Sequence, residues 1–287
     1  MAFAHISGLD HAVIMVEDLA QAATTWGRLG FTISPLGVHS AHVGAANHTV
    51  MLDGDYIELL GILHDSESNV IPKAFLAARG PGIERFALRC DDAGAAAVDL
   101  RSAGMDATGP FSFGRPVPLA GGGTTEARFR ITRWPAATAP AGLRIFACEH
   151  ETPEAVWQPG LQQHANTATR IRRMEIVTPA PAADAGEMAA AIGSLVVEGN
   201  DGVFIVASGA KRAALVFMTR AVFAGRYPAV PQAAIPDKGA MALVLTVRDR
   251  LKALEALGPG AAQYANDRLY VLPSLATGTV VAFEQQA

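Results

Sequence analysis

Two stretches of this chain carry one frame. Residues 9–31, LDHAVIMVEDLAQAATTWGRLGF, align without a gap to residues 83–105, IERFALRCDDAGAAAVDLRSAGM. Asp10 faces Glu84, Glu17 and Asp18 face Asp91 and Asp92, and Gly30 faces Gly104; just upstream, Gly8 faces Gly82. Each copy reads as an apolar strand, an acidic pair that opens a helix, and a glycine that closes it. The strand of the first copy has few charges, which predicts cover on both faces. Short strands follow it in FTISPL, NHTVML and DYIELLGI, separated by Gly, Asn and Asp turn signals. The second copy is followed by Pro/Gly-rich loops and by EARFRITRW and GLRIFACEH. A third unit begins at RIRRMEIV and a fourth at MALVLTV, each with its own helix and closing strands. Units of this size cannot bury their apolar faces alone and must stack on one another. The pattern predicts an α+β chain of four βαβββ modules in two pairs: residues 1–151, a polar linker over 152–168, and residues 169–287.

At 287 residues the chain can bury a large core without disulfides or a structural metal. Half of it is apolar and 17% is charged, which excludes intrinsic disorder. A net charge of -4 gives no basic footprint for nucleic acid. Mean hydropathy is positive, +0.23, but no run of about 18 apolar residues accounts for it, so no membrane span is expected. The N-terminal MAFAHISGLDHAVIMV lacks the basic flank of a signal peptide. Cys90 and Cys148 form no CxxC motif, which fits a reduced, cytoplasmic protein. The GGGTT segment (121–125) lies in no strand-to-helix frame and reads as a flexible loop.

The strings GLDHAVIMVEDL, GAANHTVML, DYIELLGI, IFACEHETPE and WQPGLQQHAN resemble the glyoxalase-like domain family of the vicinal oxygen chelate superfamily. That superfamily includes glyoxalase I, extradiol dioxygenases and the fosfomycin- and bleomycin-resistance proteins. The second half resembles it in outline only. The likeness implies two half-domains, each a concave sheet with helices outside and a site in the cup. It also implies metal ligands in the DH of the first strand and the YxEL of the fourth, here His11 and Glu58, with Glu58 catalytic. Strand alternation agrees: His11, Val13 and Met15 share one face, as do Glu58 and Leu60. His150 is the best third ligand, with Cys148 next. In the slot of His11 the second unit has Arg85, which cannot ligate a cation because it holds no free lone pair. Arg85 either binds an anionic group of the substrate, pairs with Glu58 and abolishes the metal, or faces solvent. Arg89 points the same way. Asn47 and His48 are substrate-binding or loop-fixing candidates, and Asn47 alternatively caps a turn. His39, His42 and His48 fit no standard zinc spacing. His164 and Asn166 match the family linker and are expected to fold back towards the cup. In the second half Glu175 and Ala242 stand in the slots of His11 and Arg85, Glu284 is the main acid on its closing strands, and no metal is expected there.

The resulting expectation is a divalent-metal-dependent lyase or isomerase (Zn, Ni, Mn, Co or Fe) acting on a small, oxygen-rich, anionic substrate. Ring-cleaving dioxygenation would want a two-His, one-carboxylate face, and position 85 offers no second His. The alternative is a metal-free cup in which Arg85, Arg89 and Trp26 hold an anionic or aromatic compound. Either way the partner is a small molecule, and the protein is a monomer or homodimer.

Overall fold

The structure is a computed structural model, and it describes residues 3–119 and 122–286. Met1, Ala2, Ala120, Gly121 of the GGGTT segment and Ala287 lie outside the described residues. The first half contains β1 (Ile6–Val16), α1 (Leu19–Arg28), β2 (Gly37–Val38), β3 (Ala45–Met51), β4 (Tyr56–Ile62), α2 (Val70–Arg79), β5 (Gly82–Cys90), α3 (Ala93–Ser102), β6 (Thr108–Pro118), β7 (Thr124–Arg133), β8 (Arg144–His150) and α4 (Pro153–Val156). The second contains β9 (Ala168–Val177), α5 (Pro181–Ile192), β10 (Val196–Glu198), β11 (Phe204–Ala207), β12 (Ala214–Met218), α6 (Arg220–Arg226), β13 (Gly239–Val247), α7 (Arg250–Leu257), β14 (Ala262–Ala265), β15 (Arg268–Val271) and β16 (Val280–Gln285).

The acidic pairs of the repeat have a local cause. Asp18 accepts the Gln21 N–H, and Asp92 accepts the N–H groups of Gly94 and Ala95. Asp249 does the same for α7. The second acid of each pair is therefore the N-cap, worth about 1 kcal/mol. The third unit departs from this, since α5 opens on Pro181 without a side-chain cap.

Two eight-stranded sheets result, ordered β2-β3-β4-β1-β5-β8-β7-β6 and β10-β11-β12-β9-β13-β16-β15-β14. At the centre of the first, β1 runs antiparallel to β5, while β4 and β8 lie parallel to β1 and β5. The second sheet repeats this around β9 and β13. The architecture is α+β, with two half-domains. FTISPL does not form the expected strand; the chain pairs only at Gly37–Val38. Pro35 has no N–H to give a ladder. The segment is instead pinned through Ser34, whose hydroxyl accepts the Thr49 N–H and whose carbonyl accepts from His48.

The outer faces of both sheets and their helices share one core, in which Leu9, Trp26 and Phe86 join Met174, Phe217 and Phe283. Trp26 is fully buried there and donates to Thr277 Oγ1 at 2.9 Å, so it is a packing residue of the junction and not a wall of the cup. The inner face of the second sheet is filled by Phe223 of α6 and Tyr227, which caps it, against Met218 and Tyr270. Its acids are also occupied. Arg173 bridges Glu175 (2.7 Å) and Glu284 (2.6 Å), placing a guanidinium between them. The inner face of the first sheet is left open.

Asp55, in the β3–β4 turn, couples the halves. Its side chain is fully buried and accepts the Ile171 N–H at 3.1 Å. Burial pushes its carboxyl up to about 7, with the Ile171 N–H opposing. A raised folded-state value means the native protein binds this proton more tightly than the unfolded chain. Stability from this group is therefore present at pH 4 and lost as pH rises through 7. Asp55→Asn should be the more stable protein at pH 8, by on the order of 2 kcal/mol, and equal or weaker at pH 4. Urea unfolding at the two pH values checks this; a parallel shift in both proteins would refute it.

Candidate functional site

Bulges in β1 and β5 build the site. Leu9 pairs with Leu88 and His11 with Ala87, so Asp10 is an extra residue on β1. Val13 pairs with Arg85 and Ile14 with Ile83, so Glu84 is the extra residue on β5. A bulge breaks strict alternation and lets neighbouring side chains work together. Asp10 thereby reaches His11, the next residue, and Glu84 reaches Arg85.

The Asp10 carboxylate is fully buried and accepts from His11 Nδ1 (2.8 Å), His150 Nε2 (2.8 Å) and Arg89 Nε (2.6 Å). Burial alone would raise its pKa, but His150 and His11 outweigh it and hold the carboxyl well below the usual range. An ionised carboxylate only accepts, so His11 must carry its proton on Nδ1. Its Nε2 faces into the cup. It lies 3.7 Å from Glu58 Oε2 and 3.5 Å from the Tyr56 hydroxyl, and the Tyr56 ring stacks on the imidazole.

Glu58 is buried and accepts from Asn47 Nδ2 at 2.6 Å. Its other carboxylate contact is His39, whose Nε2 lies 3.8 Å from Oε1. Burial opposes ionisation of Glu58, while His11, His39 and Asn47 favour it and lower its pKa overall. Burial brings His39 down to about 4 against the pull of Glu58, so at neutral pH it is an uncharged imidazole. Two imidazoles thus address the two oxygens of one carboxylate. Imidazole nitrogens with an ionised carboxylate are a donor set that suits a first-row divalent ion. The Asp10–His11 bond is the outer support that such ligands have.

These groups lie in a cavity of about 610 Å³ in the cup. Its walls are aromatic (Phe111, Phe113, Phe129 and Phe146) and its charges come chiefly from Arg85, Arg115, Arg133 and Arg144. Arg85 does not pair with Glu58; it is held by Glu84, which also takes Arg144 Nη2 at 2.8 Å. Arg85 still lines the cavity, and its charge helps keep Glu58 ionised.

His150 does not join His11 and Glu58. Register explains why. Val13 pairs with Glu58 in the first unit, and its counterpart Ala87 pairs with Phe146 in the second. The repeat position of Glu58 is therefore Phe146, and His150 is four residues further along β8. It lies across Asp10 from His11 and lines a separate pocket with Arg89 and Trp157. Arg89 likewise belongs to that pocket, with its guanidinium over the Trp157 ring at 4.5 Å. Asp10, Cys148 and His150 have ligand atoms within 4.8 Å of one another, a possible metal-binding group, although Arg89 already sets a cation against Asp10. His48 points to the other face of β3 and donates to Ser34 O at 2.8 Å. His42 lines the cavity. His164 and Asn166 do not approach the cup: His164 donates to Met51 O, and Asn166 donates to Leu29 O. They tie the linker to the end of α1. The sequence shows His39 in a histidine cluster whose spacing fits no zinc frame, and it gives Asp10 as the acid that Glu84 repeats; Arg115 left no signal.

Curved paired sheets of this topology, with a His/Glu-lined cup, define a vicinal oxygen chelate protein. The chain belongs to the glyoxalase-like domain family, whose pattern it matches over residues 9–192, across the linker and into α5. A hypothetical protein from Staphylococcus aureus shares the fold at a TM-score of 0.70 and 12% identity, covering 97% of this chain and 99% of that one. A mutant 4-hydroxymandelate synthase from Streptomyces coelicolor superposes at 0.57 with 14% identity, over 98% and 93%. Methylmalonyl-CoA epimerase from Mycobacterium tuberculosis is 28% identical over 54% of this chain and 96% of its own, at a TM-score of 0.41. No curated protein matches the sequence. Among the described residues no helix is long and apolar enough to cross a membrane.

Proposed function

We propose that the cup is the active site of a divalent-metal-dependent lyase or isomerase acting on a small, oxygen-rich anionic substrate. One observation carries this reading. Asp10 holds the His11 ring by its Nδ1, so that Nε2 looks across 3.7 Å at the buried Glu58 carboxylate. His11, Glu58 and His39 would hold the ion, which supplies Lewis-acid stabilisation of a developing oxygen anion. Glu58 is the group placed to accept a proton. Asn47 engages Oε1 and leaves Oε2 towards His11 and the cavity. Arg85, anchored by Glu84, faces the cup with its positive charge and suits an anionic group of the substrate. The aromatic walls exclude water, which strengthens each of these interactions.

A second reading has its own observation. Arg85 and Phe146 stand at the second unit's equivalents of His11 and Glu58, and neither can ligate a metal. That favours a cup which binds without turnover. Metal content by mass spectrometry on untagged protein, followed by titration with Mn, Fe, Co, Ni and Zn, separates the two. The first reading expects about one ion per chain, removable by chelator. A folded protein that takes up none of the five ions would overturn it.

A further inference from the structure

Arg115, on β6, reaches into the cup from the strand furthest from β1, and it is only 6% exposed. The two buried acids nearest Arg85 and His11 are engaged by other groups. Glu84 holds Arg85 and Arg144, and Glu58 faces His11, His39 and Asn47. Arg115 Nε is buried with no hydrogen-bond partner among the described residues, and so is Asn47 Oδ1. The two orphans are neighbours. A Cβ on Gly37 would stand 2.6 Å from Arg115 Cδ, 2.7 Å from its Nη1 and 2.7 Å from Asn47 Oδ1. Only a residue without a side chain at position 37 lets the guanidinium lie beside the Glu58 amide partner. A guanidinium buried without its hydrogen bonds is costly unless an acceptor arrives with the ligand. The planar fork of Arg matches a carboxylate with two parallel N–H donors.

We infer that Arg115, seated in the space left by Gly37, is the anchor for a carboxylate of the substrate, whose apolar or aromatic body lies against Phe113 and Phe129. This rests on the reading of the cup as a substrate site, and it makes Arg115 a binding residue that selects carboxylic acids over their neutral analogues. Arg85 is thereby left for a second oxygen-bearing group.

Phenylacetate and phenylacetamide, which differ in charge and little in shape, are the probes, with phenylphosphonate as the phosphate-like arm. Isothermal titration of native protein should give phenylacetate on the order of tenfold to a hundredfold tighter binding than the amide. Arg115→Met should reduce that preference to about twofold or less, and Arg115→Lys should keep part of it. Gly37→Ala displaces the guanidinium and should also erode the preference; it carries the test if circular dichroism shows Arg115→Met to be unfolded. Titrations are run on chelator-treated and on Zn-loaded protein. A preference present in both forms upholds the anchor even where the metal reading fails. Equal binding of acid and amide by native protein, or undetectable binding of both at millimolar concentration, overturns it. So does a preference that survives in Arg115→Met, or tighter binding of phenylphosphonate than of phenylacetate.

Discussion

Asp10→Ala should be the most damaging single substitution in the first sheet. The carboxylate receives three charge-assisted bonds from His11, His150 and Arg89 and has no exposure to water. Removing it strands two buried imidazoles and a partly buried guanidinium in one step. Breaking a buried ionic cluster from one side costs about 3–5 kcal/mol. Asp10→Asn is the sharper experiment, because it keeps the shape. An amide can still accept, but its NH2 meets a donor. The least costly adjustment is for His11 to give up its Nδ1 proton, which moves the proton to Nε2 and removes the lone pair from the cup. The variant should remain folded at 25 °C and lose about 10- to 100-fold in divalent-ion affinity. Urea unfolding and a metal titration on the same preparation read the two effects. If Asp10→Asn binds metal as native protein does, Asp10 is an element of stability alone.

Glu58→Gln tests the opposite balance, a large loss of function with little loss of fold. Gln keeps an oxygen for the Asn47 Nδ2 bond. It removes the negative charge that His11 and His39 address and, with it, the buried carboxylate placed to accept a proton at Oε2. Stability should change by roughly 1 kcal/mol or less, since a hydrogen-bonded acceptor is replaced by another. Proton-transfer activity on any substrate found should fall by about 10²–10⁴-fold, the usual contribution of a positioned acid or base. His39→Ala is the companion: weakened metal binding in both variants would mark Glu58 and His39 as members of one ligand set. Retention of metal and activity in Glu58→Gln would move the chemistry elsewhere in the cup.

Much of this protein follows from local rules that a sequence displays. The acid pairs at 17–18 and 91–92 announce helix starts because an N-cap needs only its own next turn. The pairing of the first two units into one half is legible in the gapless repeat. The meeting of His11 and Glu58 is legible in strand alternation and in the family strings. Tertiary structure decided the rest. Both bulges break the period of two on which alternation rests, so the partnership of Asp10 with His11 cannot be counted off along β1. His150 falls outside the His11–Glu58 pair because hydrogen-bond register puts Phe146, four residues earlier on β8, opposite the counterpart of Val13. His39 and Arg115 arrive in the cup from a two-residue strand and from the far edge of the sheet, at distances in sequence over which no periodicity runs. The filling of the second cup by α6 depends on the same thing: a helix seven residues long has no recognisable stripe of its own, and only the empty concavity of the second sheet gives Phe223 and Tyr227 somewhere to go. Local rules set which segments are strands and helices; which side chains meet is set by register and by the space that packing leaves.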